Sequence, residues 1–300
     1  MTPYRRAFGR LFLAVLLVAG WGIRAPLADG YANGHLLVET GDLAILLNEP
    51  GLGVTDNLRI IDVRPAEDYA DGHIPGAIHL SADDVIDPSS HVDGALYDAA
   101  TLAVMLGARG IDKDSRVILY DDNGGFHASR LFWMLEYLGH RDVAVLNGGW
   151  PKWFGEGYAV STETPDVQSA TFAVTLTPRR IATADWLLSH RDDDDVVVID
   201  VRPVSAYAKG HIPWAQNIPW KQNLTDDGVM RSADELIAHF AAHGVTEDTV
   251  VAVHCQNGKA AGHTYFTLRL LGFPQVRSYD RSWAEWGTAG DLPVVVEAEG

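Results

Sequence analysis

Cys255 is the only cysteine in the 300-residue chain, and its neighbours make it a candidate nucleophile. A β-forming run, Val250-Val251-Ala252-Val253-His254, leads into it. A Gly-containing turn, Gln256-Asn257-Gly258-Lys259-Ala260, leads out toward a helical stretch from Ala261 to Leu271. A thiol where a strand gives way to a helix sits among backbone N–H groups without intrahelical acceptors, and these favour a thiolate. A lone thiol has no intramolecular disulfide partner, so it is either a buried core residue or a working nucleophile. Lys259 adds a positive charge that stabilises a thiolate and draws an anionic substrate. The amides of Gln256, Asn257, Gly258, Lys259, Ala260 and Ala261 are the candidate binding groups, with Gly258 permitting the tight curvature.

Two familiar cysteine chemistries fit poorly. A phosphatase loop would place an arginine six residues after the cysteine to clamp an oxyanion, and that position is Ala261. A protease or acyltransferase needs a general-base histidine beside the thiol, and His263 lies too far along the next helix to be given that role.

The elements that must position this loop are written twice. Ile61-Asp62-Val63-Arg64-Pro65 recurs as Ile199-Asp200-Val201-Arg202-Pro203, 138 residues later. Gly72-His73-Ile74-Pro75 recurs as Gly210-His211-Ile212-Pro213, and Trp150-x-x-Trp153 as Trp283-x-x-Trp286. A period of this length marks a duplicated domain. Each copy alternates short β-runs with helical patterns, which predicts an α/β fold with a mainly parallel central sheet flanked by helices. Expected strands are Arg59–Val63, Ala77–Leu80, Val117–Tyr120 and Ala144–Leu146, then Val196–Val201, Gln216–Ile218, Val250–His254 and Val276–Tyr279. Leu131, Met134, Leu135 and Leu138 predict an amphipathic helix over Ala128–Leu138. Domains are expected at 35–160 and 178–295, joined by a Ser/Thr-rich linker at 161–177.

Residues 1–28 read as a signal peptide. Arg5, Arg6 and Arg10 precede an apolar run from Leu11 to Ile23, and small residues suggest cleavage at Ala28 or Ala32. Export to the periplasm is expected, with secretion the second choice, and no stable membrane insertion after processing. Acidic residues outnumber basic ones, 40 to 23, and loss of residues 1–28 takes the formal charge from −17 to −21. Such a charge argues against a nucleic acid partner. The Asp192–Asp195 run reads as a solvated turn, and no metal or cofactor is expected. A monomer is expected.

The paired Ile-Asp-Val-Arg-Pro and Gly-His-Ile-Pro motifs, the Gly-Gly-Trp-x-x-Trp at Trp150 and the strand–Cys–loop–helix of the second copy resemble the tandem-domain rhodaneses. These are sulfurtransferases of the thiosulfate and 3-mercaptopyruvate types, and the resemblance runs from about Leu37 to Pro293. It implies two tandem rhodanese-like domains and a persulfide formed on Cys255. It also implies a small anionic sulfur donor and a thiol or cyanide acceptor. The position matching Cys255 in the first copy is Asp121, in a loop one residue longer; a carboxylate forms no persulfide, so that copy is expected to be non-catalytic. His73 resembles a residue used near substrate by the mercaptopyruvate branch, yet His211 repeats it, which favours a role in the shared fold. Asp200 and Arg202 are candidate supporting residues, with a buried ion pair the simpler reading. Departures limit the choice of donor. Ala206 stands where thiosulfate enzymes carry a further arginine, and Cys255-Gln256-Asn257-Gly258 lacks the serine of the mercaptopyruvate loop. Lys259 tilts the expectation toward thiosulfate.

Overall fold

The computed structural model describes residues 30–48 and 57–297. The signal peptide expected over residues 1–28 lies outside the described residues. In chain order the first domain contains β1 (Leu37–Val38), α1 (Thr40–Asn48), β2 (Leu58–Asp62), α2 (Ala66–Asp71), β3 (Ile78–His79), α3 (Ala99–Ala108), β4 (Arg116–Tyr120), α4 (Ala128–Leu138), β5 (Val143–Leu146) and α5 (Gly149–Gly155). The second contains α6 (Ala184–Ser189), β6 (Val196–Asp200), α7 (Val204–Ala208), β7 (Ala215–Asn217), α8 (Ala233–Ala241), β8 (Val250–His254), α9 (Lys259–Leu270), β9 (Val276–Ser278) and α10 (Ser282–Trp286).

Both sheets are parallel, with strand orders β1-β5-β4-β2-β3 and β7-β6-β8-β9. The eight expected strands are all present within one or two residues. The two-residue edge strand β1 is additional, too short to show a period-two pattern. In each sheet the strand that precedes the Asp121 or Cys255 loop is internal, so its β-branched residues are covered on both faces. Val251, Ala252 and Val253 are accordingly buried. Cys255 therefore leaves the C-terminal end of an internal parallel strand, where open α/β sheets place their ligand sites.

The duplicated arginines hold the strand ends. Arg64 pairs with Asp62 at 2.6 Å and donates to the Gly72 carbonyl at 2.7 Å; Arg202 does the same with Asp200 and Gly210 at 2.6 and 2.7 Å. Each guanidinium also lies over an indole, Trp150 at 4.3 Å and Trp283 at 4.5 Å. Trp153 and Trp286 are buried pegs.

Helix α4 departs from expectation in one respect. Its range matches, but every residue from Ala128 to Leu135 is buried, so it is not one-sided. The reason is α9: the two helices pack together across the domain boundary, with Phe132 and Phe266 edge to face at 5.0 Å. A helix between its own sheet and a second helix has little solvent face. One hydrophobic cluster consequently runs through both domains. The linker is docked rather than loose: Ala170 donates to Gly107, and Thr175 and Thr177 donate to Leu138 and Tyr137, at 2.8–2.9 Å. Ahead of the first domain, the Asn33 amide donates to Leu270 at 3.0 Å and Tyr31 to Arg231, tying the N-terminal segment to the second domain.

Candidate active site

The site is built where β8 ends. Cys255 is buried at 2 % exposure. Its amide donates to Ser282 Oγ at 3.0 Å, and that hydroxyl lies 3.9 Å from Cys255 Sγ. The carbonyls of Cys255 and Gln256 accept from the amides of Trp283 and Ala284, at 3.1 and 2.8 Å. The loop is thus clamped to the start of α10. Gly258 adopts φ +84°, and a Cβ there would come within 2.4 Å of Asp280 Oδ1 and 2.5 Å of its carbonyl oxygen. Both the left-handed backbone and the close approach require glycine, as the sequence suggested.

Gly258 is also the N-cap of α9, which starts at Lys259, two residues earlier than expected. The first-turn amides of this helix have no intrahelical acceptor. The predicted loop side chains behave differently. Gln256 is exposed. The Asn257 amide group turns away to donate to Asp93 at 2.9 Å, and Lys259 Nζ donates to Asp83 at 2.6 Å. Ala260 and Ala261 are buried and offer backbone alone. The loop therefore works through its main chain.

The first copy shows what such a loop holds. Asp121 is fully buried, and its Oδ1 accepts from the amides of Asn123 and Gly125 at 3.0 and 2.8 Å. Oδ2 accepts from His127 and Ala128 at 2.6 and 3.0 Å. Four main-chain donors converge on one anion. The corresponding amides of the second copy lie between Asn257 and Ala261. The Trp150 amide donates to the Asp121 carbonyl at 2.7 Å, repeating the Trp283–Cys255 bond.

The remaining candidates fall elsewhere. His73 is stacked on Tyr69 at 3.9 Å, with its ring nitrogens facing the carbonyls of Tyr69 and Glu163 at 2.9 and 3.1 Å. Those partners lie in the first domain and the linker, and His211 stacks on Tyr207 in the same way at 3.7 Å. Arg202 and Asp200 are committed to each other. His254 is fully buried, its Nε2 3.6 Å from Asp200 Oδ2, and burial pushes its pKa down, so the imidazole is neutral. It faces the strand-end ion pair rather than offering a base to the neighbouring thiol. Among the described residues no cluster of His, Cys, Asp and Glu is arranged to hold a metal ion.

Sequence reasoning passed over two residues. Ser282 is the only described non-glycine residue at positive φ, 52°, and it matches Gly149 of the first copy at φ 54°. The signal was available: where the first copy reads Gly149-Trp150, the second reads Ser282-Trp283. Arg130 of α4 was the other. It is fully buried and bridges the domains, donating to Asp280 at 2.8 Å and to the Gly94 carbonyl at 2.5 Å. No sequence pattern marks it, because its partners come from distant elements.

Two parallel α/β units, one ending in a buried thiol and the other in a carboxylate held by four main-chain amides, define a tandem duplicated architecture with one nucleophile. Residues 46–156 and 183–289 each match the Rhodanese-like domain family, and the chain belongs to that family. It is 33% identical over 269 residues to a thiosulfate sulfurtransferase of Pseudomonas aeruginosa, covering 87% of this chain and 97% of the relative. It is also 33% identical over 290 residues to the sulfur carrier protein TtuD of Thermus thermophilus, covering 88% and 98%. The crystal structure of SseA from Escherichia coli, described as a 3-mercaptopyruvate sulfotransferase, superposes with a TM-score of 0.74 at 28% identity, covering 83% of this chain and 98% of that one.

Proposed function

We propose that the protein is a sulfurtransferase that carries a sulfane sulfur on Cys255, with thiosulfate as the preferred donor and 3-mercaptopyruvate the second. The Cys255 thiolate attacks the outer sulfur of thiosulfate; the new S–S bond forms as the old one breaks, and sulfite leaves with its electron pair. Cyanide or a thiolate then attacks the outer sulfur of the persulfide, forming thiocyanate or a new persulfide and returning the Cys255 thiolate.

The observation that carries this reading is Asp121. From Cα to a carboxylate oxygen is three bonds, the same as from the cysteine Cα to the outer sulfur of its persulfide. The first copy therefore holds, with four amides, an anion of the reach and charge the second copy would hold during turnover. A carboxylate needs no donor to supply its charge, which makes the first copy a fixed companion domain. The likeness to a sulfur carrier protein supports a second reading, a persulfide carrier that does not turn over with small acceptors.

We further propose export, with processing after Ala28, because cleavage after Ala32 would remove the Tyr31 hydroxyl that bonds Arg231. Intact mass of protein recovered from an exporting host tests both ideas. The expected mature chain begins at Asp29 and gains one sulfur atom on incubation with thiosulfate; cyanide removes it as thiocyanate. Full thiocyanate production by Cys255→Ser would sink the enzyme assignment. Labelling without turnover to cyanide or thiols would favour the carrier, and a chain starting at Asn33 or still holding residues 1–28 would refute the processing.

A further inference from the structure

Lys259, the cation nearest Cys255 in sequence, is not a free charge. Its ammonium donates to Asp83 at 2.6 Å and holds that carboxyl below its ordinary value. Asp83 belongs to the segment between β3 and α3, which reaches from the first domain onto the catalytic loop of the second. The same segment meets the loop again where Asp93 accepts from Asn257 at 2.9 Å, and its Gly94 carbonyl accepts from Arg130 at 2.5 Å. Between segment and loop lies an open cavity of about 470 Å³, whose charged lining is Asp83, Asp84, Asp93 and Lys259. This is an unfavourable wall for an anion, since three carboxylates face one ammonium.

We infer that Asp83 is a specificity-determining residue, one that pairs with Lys259 and so weakens capture of sulfur donors in proportion to their negative charge. The inference rests on the sulfur-transfer reading and concerns the donor half-reaction. Coulomb energy scales with the product of charges, so neutralising Lys259 costs a dianion such as thiosulfate twice what it costs a monoanion such as 3-mercaptopyruvate. A paired ammonium presents a dipole, whose field falls off faster than that of a lone charge. Asp83 is 74% exposed, so the bridge is screened and an arriving donor can compete for the lysine. The opposite role is also physically reasonable: a carboxylate that holds Lys259 in the pose the donor needs. The two roles predict opposite signs.

Steady-state kcat/KM for each donor, measured with full-length mature protein at low and high salt, separates them. Asp83→Asn keeps the side-chain shape and removes the charge. It is expected to raise kcat/KM about three- to tenfold for thiosulfate and about two- to threefold for 3-mercaptopyruvate, from the charge scaling alone. Both gains should shrink toward unity near 1 M salt, where the screening length is about 3 Å. Asp83→Glu, which retains the charge, should behave as wild type. A fall in kcat/KM for Asp83→Asn would mean that Asp83 positions the lysine. No change, an equal change for both donors or a salt-independent one would equally overturn the inference. If only one donor works, the sign of its change and its salt dependence decide. A wild-type protein that forms no persulfide with either donor would instead refute the sulfur-transfer reading.

Discussion

At the scale of single residues, Ser282 is the clearest departure from what the fold alone would choose. Its counterpart in the first copy is glycine, and a non-glycine residue in the left-handed region costs on the order of 1–2 kcal/mol. The second copy accepts that strain at the one position whose hydroxyl meets both the Cys255 amide and its sulfur. Ser282→Ala leaves the buried Cys255 amide without its acceptor and removes the 3.9 Å contact to the sulfur, from a hydroxyl that also donates to the Tyr279 carbonyl at 2.8 Å. Sulfur transfer should fall about tenfold, the effect of losing one buried hydrogen bond that fixes Cys255 in the loop. Ser282→Gly distinguishes chemistry from strain: it suits the positive φ, so thermal stability should recover relative to Ser282→Ala while the rate stays low. A rate restored by glycine would show that Ser282 only shapes the turn. Asn257 and Lys259 are bonded to the first domain, and the Ser282 hydroxyl stands 3.9 Å from the sulfur.

At the scale of elements, the strand–loop–helix unit is an anion cradle used twice with different occupants. In the first copy both carboxylate oxygens of Asp121 are in use, each with two amide donors. Asp121→Asn replaces one acceptor oxygen by an NH₂ group that faces two N–H donors. The expected loss is about 2–5 kcal/mol, from two buried donors left unmatched. Chemical denaturation should show it as a lower midpoint, while kcat of the folded fraction stays near wild type. A large kcat loss at unchanged stability would instead give Asp121 a part in the chemistry. Much of this element was readable beforehand. The apolar runs located the strands, the repeat paired Asp121 with Cys255, and Gly258 marked the turn. The two-residue β1 and the second buried face of α4 were not readable, since each depends on a partner distant in the chain. The loop side chains were over-read for the same reason: Asn257 and Lys259 look free in sequence but are bonded to residues more than 160 positions earlier.

At the scale of the whole molecule, the two domains share one core, and the α4–α9 boundary carries polar groups that tie its stability to pH. Arg130 on α4 and His263 on α9 occupy matching positions in the repeat, and each reaches toward the opposite domain. His263 is fully buried; its Nε2 faces the Gly124 carbonyl at 3.1 Å and its Nδ1 faces Asn223 at 3.3 Å. Burial lowers its pKa from 6.5 to about 4. The unfolded chain therefore binds a proton more readily than the folded one. The neutral imidazole contributes its full stability above pH 6.5, and that contribution is lost as pH falls toward 4. At pH 5 the loss from this residue alone is about 2 kcal/mol, since each tenfold difference in proton affinity between the folded and unfolded chain is worth about 1.4 kcal/mol. His127, His140 and His254 are also pushed down by burial, so they add in the same direction. Denaturant midpoints measured from pH 7.5 to 4.5 should fall steeply across this window. His263→Gln, which retains polar atoms near both partners but does not titrate there, should flatten the slope while lowering stability at neutral pH. Because α4 and α9 are packed in one cluster with the catalytic loop at the end of β8, loss of sulfur transfer on acidification should follow global unfolding. Inactivation at a pH where the denaturant midpoint is unchanged would place the acid-sensitive group at Cys255 itself rather than in the domain boundary.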